Sequence, residues 1–260
     1  MLCGAALSWK LVVALITRGN FVSKIPAGFE KWLLDLVAIG TIADCVSLKG
    51  ENRALVKYGL IVISKTKRIG LQEMFKVGRI GIDENNPPDT HKVAFLIAPR
   101  VNASGRMDHA SVAYKLLMEK DRVMARDMAL EVEAKNQERQ KLTSEITRQV
   151  RAVAEKSFKD KKLIFAYDEH WPIGVLGLVA GRITDEFHKP ALILQKQEKE
   201  FAGSLRSIPE VNIIHSLEQC ADLLIKFGGH SQAAGVKLSA ENIDAFWERL
   251  SGIVEEKLLG

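Results

Sequence analysis

Two glycine-led segments near the C-terminal end of the chain carry residues that could bind a phosphate group. They are Lys226-Phe-Gly-Gly-His-Ser-Gln-Ala-Ala-Gly235 and Gly203-Ser-Leu-Arg-Ser207. The pair Gly228 and Gly229 leaves backbone N–H groups unshielded, so an anion can approach the main chain. The imidazole of His230 can donate a hydrogen bond to that anion. By itself a glycine pair first indicates a tight helix-to-strand connection. The two segments together predict a phosphate-binding site.

A third polar cluster lies earlier in the chain, in Pro99-Arg-Val-Asn-Ala-Ser-Gly-Arg106. The guanidinium groups of Arg100 and Arg106 could each bind a phosphate in bidentate fashion. Asn102 between them could position a neighbouring group. The alternative is a solvated loop with surface arginines.

Asp44 is a carboxylate within an apolar run, Gly40 to Leu48, whose composition favours a β-strand. An unpaired, ionised aspartate would be costly to bury there. It is therefore either a helix cap or turn residue, or a ligand of a hard cation, for which carboxylate oxygens are the natural donors.

The elements that position these residues follow from apolar spacing and turn signals. Helical spacing predicts helices over residues 3–17, 29–39, 51–65, 71–77 and 93–97, with a loop at 83–88. A further helix is predicted over 121–158, about 55 Å long at about 1.5 Å per residue. Because residues 135–141 are all polar, this helix is expected to connect two lobes with its middle exposed, either as a solvated linker or in contact with a ligand.

Strands and helices alternate after this long helix. Strands are predicted at residues 162–167, 190–194, 201–207 and 233–238, and helices at 172–187, 213–227 and 242–258. This alternation predicts a mixed α/β lobe. Gly174, Gly177 and Gly181 fall on roughly one helix face, so a neighbouring backbone is expected to pack closely there.

Composition limits the possible classes of protein. The 260 residues suffice for one large or two modest domains, and 47% are apolar. The net charge of +5 permits a nucleic-acid partner without requiring one. Three widely spaced cysteines, Cys3, Cys45 and Cys220, indicate a reducing cytoplasm. Lys10 interrupts the apolar N-terminal run, so we predict an amphipathic or buried helix rather than a membrane span.

The motifs, in this order, resemble those of the RecJ family, single-strand-specific DNA exonucleases of the DHH phosphoesterase superfamily. The resemblance covers nearly the whole chain. It rests on Asp35-Leu-Val-Ala-Ile-Gly-Thr-Ile-Ala-Asp44, Arg100-Val-Asn-Ala-Ser-Gly-Arg106, Asn136-Gln-Glu-Arg139, Gly174-Val-Leu-Gly-Leu-Val-Ala-Gly-Arg182, Gly203-Ser-Leu-Arg-Ser207 and Phe227-Gly-Gly-His230.

The resemblance implies an α/β fold in three parts. Residues 1–115 would be the C-terminal part of a DHH catalytic domain, 116–160 a connecting helix, and 161–260 a mixed α/β DHHA1 domain. The implied activity is metal-dependent 5′-to-3′ hydrolysis of single-stranded DNA in repair and recombination. Other interpretations are a non-catalytic module that binds single strands, and a DHH-family phosphodiesterase acting on oligonucleotides or cyclic dinucleotides.

The resemblance also implies roles for individual residues. Asp44 would bind one of two Mn²⁺ or Mg²⁺ ions. The DNA backbone would be contacted by Arg100, Asn102, Arg106, Gln137, Arg182, Ser204, Arg206, Ser207, Gly228, Gly229 and His230.

One departure from the family pattern concerns the metal site. The sequence contains neither the Asp-x-Asp pair nor the Asp-His-His triplet that supply most of the family's metal ligands, and Asp108-His109 is followed by alanine. One carboxylate cannot hold two metal ions. We therefore expect the chain to be inactive alone, either as a truncated product or as half of a split enzyme whose other chain carries the N-terminal DHH half.

Overall fold

The computed structural model describes residues 1–19, 25–107 and 111–259, apart from the side chains of Ser104, Arg106 and Met107. Contacts between residues divide the chain into two compact units, Met1–Gln137 and Glu138–Gly260. No helix in these described ranges combines the length and the apolar character needed to cross a membrane.

The first unit is helical. Its elements are α1 (Gly4–Arg18), α2 (Phe29–Trp32), α3 (Leu34–Ala43), α4 (Gly50–Ser64), α5 (Ile69–Val77), α6 (Thr90–Lys92), a π-helical turn (Val93–Ile97), α7 (Ala98–Met107) and α8 (Ser111–Met118). The helix α9 (Arg122–Ser157) extends from this unit into the second. Most predicted helices of this half are confirmed, with shifts of a few residues at their ends. The helix predicted over 29–39 is instead interrupted at Leu33 and forms α2 and α3, and α8 was not predicted.

Helix α3 lies at the centre of the first unit. Seven of its ten residues are buried, and it packs against both α1 and α4. Such a helix is apolar on all sides because it has neighbours on all sides. The adjoining apolar core includes Ile63, Leu71, Val93 and Ile97, each with no exposed surface.

The second unit contains a five-stranded sheet in the order β1-β2-β3-β5-β4. Its elements are β1 (Ile164–Asp168), α10 (Ile173–Phe187), β2 (Ala191–Lys196), β3 (Glu200–Arg206), α11 (Ile213–Glu218), β4 (Lys226–His230), β5 (Ala233–Ser239) and α12 (Ile243–Leu259). Strand β1 runs parallel to β2, and the other neighbouring pairs are antiparallel.

The two faces of this sheet have different surroundings. One face joins α11 and α12 in a buried core that includes Leu192, Leu205, Val236, Phe246 and Leu250. The other face is covered by α10, which packs on β2 and β3. Strands β4 and β5 therefore extend beyond the helix that covers their neighbours.

One sequence prediction for this unit is wrong. The helix expected over 213–227 ends at Glu218, and Lys226–His230 forms strand β4 instead. Phe227 pairs with Val236 of β5. Hydrogen bonding to β5 is a tertiary interaction that helical periodicity does not report. The glycine pair accordingly lies within a strand and not in a helix-to-strand turn.

Three further corrections concern the polar segments. The Pro99–Arg106 segment lies within helix α7 and is not a loop. Asp44 follows the last residue of α3 and is exposed, so the run around it is not a strand. Asn136 has only 1% of its surface exposed, so the polar middle of α9 is not uniformly solvated.

Glu73 supplies a test of how the first unit is held together. This buried carboxylate accepts hydrogen bonds from Lys76 (2.9 Å) and from Arg122 at the start of α9 (2.5 Å). The hydrogen bond from Lys76, with its charge and that of Arg122, holds the pKa of Glu73 below its ordinary value, although burial opposes the shift.

We expect Glu73→Gln to lower the free energy of unfolding at pH 7 by about 1–3 kcal/mol, as for hydrogen bonds to a charged group. A lowered folded-state pKa stabilises the protein above the unfolded pKa, and this stability is lost as the pH falls through the folded pKa. The difference between variant and parent in urea unfolding should therefore shrink below about pH 4. Glu84→Gln, which removes an exposed partner of Lys65, is the control and should change little. A pH-independent difference would contradict the ionic role of Glu73.

Candidate nucleic-acid interface

The register of three strands places one row of small and polar residues side by side. Ser204 of β3 lies opposite Gly235 of β5, and Gly235 lies opposite Gly228 of β4. Directly opposed residues in neighbouring strands point to the same face of a sheet. Ser204 therefore shares its face with the exposed backbone of two glycines.

A second row lies two residues further along the same strands. Arg206 lies opposite Ala233, which lies opposite His230. Side chains two positions apart in a strand share a face, so this row joins the first. We use the term open face for Ser204, Arg206, Gly228, His230, Ala233 and Gly235.

The open face is accessible where β4 and β5 extend beyond α10. Gly228, His230 and Gly235 are exposed. A Cβ placed on Gly228 would meet no atom within 4 Å, so the backbone there can be approached closely. The next row on this face adds Lys226, which is exposed, and Lys237, which pairs with Glu200 at 2.7 Å. The result is a basic surface with few large side chains.

The other end of the open face is fixed by helix α10. A Cβ on Gly177 would lie 3.2 Å from Oγ of Ser204 and 3.3 Å from Nη2 of Arg206. The absence of a side chain at Gly177 thus leaves room for both polar groups beneath the helix. The sequence predicted a neighbouring backbone close to this glycine face. At Gly177 the close neighbours are side chains instead, and at Gly181 a Cβ would meet nothing within 4 Å.

Two residues of the glycine-led segments have structural roles. Ser207 is buried, and its hydroxyl donates to the carbonyl of Val211 at 2.8 Å. Gly229 has φ +155°, and a Cβ there would lie 2.1 Å from the carbonyl oxygen of Ala233. The hairpin backbone therefore requires glycine at this position.

Arg182 lies on the exposed side of α10 and donates a hydrogen bond to Ser144 of α9 at 3.4 Å. It lines a groove of about 580 Å³ together with Arg148 and Arg151. Arg151 forms a bidentate pair with Glu186, and this hydrogen bonding raises the pKa of Arg151. The groove provides further cationic groups within the second unit.

The first unit brings Asp44 and Asn102 together at a shallow pocket of about 330 Å³. The pocket is also lined by Gly4 and Ala5, at the start of α1. Gly40 allows α1 to pack closely against α3, because a Cβ at Gly40 would lie 2.7 Å from the Cβ of Ala5. The N-terminus of a helix presents unpaired N–H groups and a partial positive charge. This pocket therefore combines a carboxylate, an amide and an anion-attracting helix end.

Arg100 and Gln137 are linked through a residue that the sequence did not single out. Arg100 donates to the carboxylate of Glu133 at 2.6 and 3.3 Å and to the carbonyl of Leu96 at 2.6 Å. Gln137 donates to the same carboxylate at 3.1 Å. The guanidinium of Arg100 thus forms its bidentate contact with a carboxylate of this chain. The four-residue spacing between Glu133 and Gln137, about one helical turn, is the sequence signal that could have indicated their contact.

One assigned residue, Arg106, and the Asp108-His109 pair, to which no role was assigned, fall outside the described atoms. Arg106 lies in α7, but its side chain is not among those described, and neither Asp108 nor His109 belongs to the described residues.

The residues present do not by themselves fit a two-metal site. Within the described ranges, no group of three or more histidine, cysteine, aspartate or glutamate residues is placed to hold a metal ion. Asp44 offers one carboxylate, and Asn102 offers one neutral oxygen at the same pocket. Paired cations in hydrolytic sites need several such ligands.

Comparison with known proteins identifies related sequences. The model of the DHHA1 domain matches residues 160–256. The single-stranded-DNA-specific exonuclease RecJ of Bacillus subtilis is 39% identical over 99% of this chain, and RecJ of Haemophilus influenzae is 32% identical over 94%. Nearly the whole chain is therefore similar to one portion of the RecJ proteins. It spans 31% of the first RecJ protein and 44% of the second.

Solved RecJ structures share the fold. Thermus thermophilus RecJ in complex with Mg²⁺ superposes with a TM-score of 0.83 at 30% identity, over 96% of this chain and 37% of that one. An exonuclease RecJ bound to manganese gives a TM-score of 0.75 at 31% identity, over 95% and 60% of the two chains. The predicted fold class, with a long helix and a mixed α/β DHHA1 domain, is confirmed.

The close packing at Gly177 leads to a prediction about stability, for which Gly181 on the same helix is the control. Alanine favours a helix interior over glycine by roughly 0.5–1 kcal/mol. Gly181→Ala should therefore raise the free energy of unfolding by about that amount. Gly177→Ala should gain less or lose stability, because its methyl group must displace Ser204 and Arg206. Thermal and urea unfolding of both variants checks this, and equal gains would contradict the proposed contact.

Proposed function

We propose that this chain is the strand-binding part of a RecJ-type exonuclease that degrades single-stranded DNA from 5′ to 3′ in repair and recombination, in the cytoplasm. The observation that carries the proposal is the open face, where Ser204, Arg206, Gly228 and His230 meet on one side of a sheet. The RecJ relatives are named as single-stranded-DNA-specific exonucleases, which supports the same substrate.

The open face suits the sugar–phosphate backbone. Arg206 supplies a charged, forked donor, His230 a ring N–H, and Gly228 an approachable main chain. Such contacts hold a strand without reading its bases, as is required of an exonuclease that acts on any sequence. Arg182 would extend this contact along α10. Lys226 would add charge that steers the strand to the surface.

The pocket at Asp44 would receive the scissile phosphate in the first unit. The start of α1 would attract the anion, and the amide of Asn102 would orient it. The resemblance implies that Arg106 and Gln137 would also contact the strand. Arg100 neutralises the charge of Glu133 and would affect the strand indirectly through this residue. A phosphate that displaced the Glu133 carboxylate would instead contact Arg100 directly.

The division of the chain into domains belongs to the same proposal. Residues 1–115 would be the C-terminal part of the DHH catalytic domain, residues 116–160 the connecting helix, and residues 161–260 the DHHA1 domain. The Mn²⁺ or Mg²⁺ ions of the complete enzyme would need ligands from outside the described residues, for example from a separate chain carrying the N-terminal DHH half. The chain by itself would then bind DNA without hydrolysing it.

The contribution of Arg206 can be measured directly. Arg206→Ala should weaken binding of a single strand by about 1–3 kcal/mol, the range for a charge-assisted contact. It should also lower the slope of log K against log salt by about 0.7, as for one phosphate contact. Fluorescence anisotropy over a salt series gives both values. Arg249→Ala, which removes the partner of Asp222 on α12, is the matched control. Unchanged affinity and slope would exclude Arg206 from the interface.

Activity of the pure chain tests the division between binding and chemistry. We expect that, with Mn²⁺, the chain binds a 5′-phosphorylated single strand and releases no mononucleotides. Release that survives repurification and that Asp44→Asn abolishes would show that the metal site is complete.

A length series of strands tests the substrate class, because an enzyme of cyclic dinucleotides or short oligonucleotides should lose affinity as the strand grows.

A further inference from the structure

A pocket of about 380 Å³ in the first unit combines aromatic and cationic side chains. We call it the aromatic–basic pocket and define it by Pro26, Phe29, Trp32, Lys67 and Arg68. It lies at α2 and at the loop between α4 and α5, and it contains none of the residues assigned above to DNA or metal binding.

The aromatic rings of this pocket are open to solvent. Phe29 is 41% exposed and Trp32 is 39% exposed, although both are large apolar side chains. The ammonium group of Lys67 lies 4.5 Å from the centroid of the Trp32 ring, in cation–π geometry. The pocket therefore presents an apolar plane and a positive charge at one place.

The floor of the pocket is rigid and electrically balanced. Asp35 has 1% of its surface exposed and accepts hydrogen bonds from Nε of Arg68 (2.8 Å), from the hydroxyl of Thr66 (3.2 Å) and from the N–H of Leu36 (2.7 Å). These donors compensate the negative charge of its carboxylate. The floor consequently does not repel an anion, and Arg68 is held in place beside it.

The surroundings carry an excess of positive charge. Lys31 and Lys65 line an adjoining pocket of about 360 Å³, and Trp32 is a wall of both pockets. Lys65 pairs with Glu84 at 3.0 Å. Across the ranges that the structure describes, no carboxylate forms an ion pair with Lys31 or Lys67. An anionic ligand would therefore find two lysines available beside the exposed rings.

We infer that the aromatic–basic pocket is a second contact site for single-stranded nucleic acid. A base would stack against Trp32 or Phe29, while Lys67 and Lys31 would hold the adjoining phosphates. Aromatic stacking combined with cationic groups is the chemistry by which proteins bind single strands regardless of sequence. The inference rests on the proposed function, because it assumes that the chain binds a strand at all.

Photochemical cross-linking tests the contact in the unaltered chain. Single strands of thymidine carrying 5-iodouracil at one position would be irradiated with the full chain, and the attached peptide would be identified by mass spectrometry. We expect attachment at Trp32 or Phe29. Attachment only to the second unit, with none at this pocket, would overturn the inference even if every variant of the pocket failed to fold.

Binding measurements give the energetic test. Trp32→Ala should weaken binding of a single strand about 5- to 50-fold, within the range for one stacked base. Trp32→Phe should retain most of the affinity because it keeps a ring. Lys67→Gln should lower the slope of log K against log salt by about 0.7. Tyr114→Ala and Lys115→Gln form a matched control pair, since both residues are exposed on α8 and line neither pocket.

The outcomes separate this inference from the proposed function. If Arg206→Ala weakens binding and the variants of Trp32 and Lys67 do not, the pocket serves another occupant, such as an acidic peptide, and the inference is wrong while the proposed function stands. If the unaltered chain binds no single strand, both are wrong. If the control pair weakens binding as much as Trp32→Ala and Lys67→Gln, the contact is a general effect of surface charge, and the inference is again wrong.

Discussion

The strand register between β3, β5 and β4 is the constraint on which the candidate interface depends. It sets Ser204 and Arg206 in line with Gly228 and His230 across three strands. Because side chains alternate between faces, a slip of one residue would turn every one of these groups toward the core of α11 and α12. That core fixes the register, since it buries the alternate residues of the same strands. The polar face is thus determined by the apolar face behind it.

Helix α10 completes the arrangement by contacting only part of the sheet. At Gly177 the helix lies so close to the sheet that an added Cβ would stand 3.2 and 3.3 Å from atoms of Ser204 and Arg206. On this face α10 packs mainly on β2 and β3, while Gly228 and His230 of β4 are exposed. An interface that is anchored at one end and open at the other suits a flexible polyanion, because the anchored groups need little reordering on binding.

At the pocket of Asp44 the first unit offers a helix N-terminus, an amide and one carboxylate. This set cannot supply the ligands of two metal ions. The buried pair of Arg100 and Glu133 neutralises a charge beside α7. The aromatic–basic pocket lies elsewhere in the same unit. Among the described residues of this unit, no group of histidine, cysteine, aspartate or glutamate side chains is placed to hold a metal ion.

The sequence by itself determined most helices of the first unit, the long helix α9, the strands β1, β2, β3 and β5, and the resemblance to RecJ. It predicted neither α7 nor α8. These features depend on local periodicity and on short motifs whose residues are adjacent in the chain. Only the tertiary structure decided that Lys226–His230 is a strand, that Glu133 joins Arg100 to Gln137, and that Trp32 and Lys67 meet at one pocket. The strand and the pocket depend on partners that hydrogen-bond or pack across the fold. Of these contacts only that between Glu133 and Gln137 has a local signal, the spacing of one helical turn. Strand pairing and side-chain burial are set by the folded core and not by the segment itself.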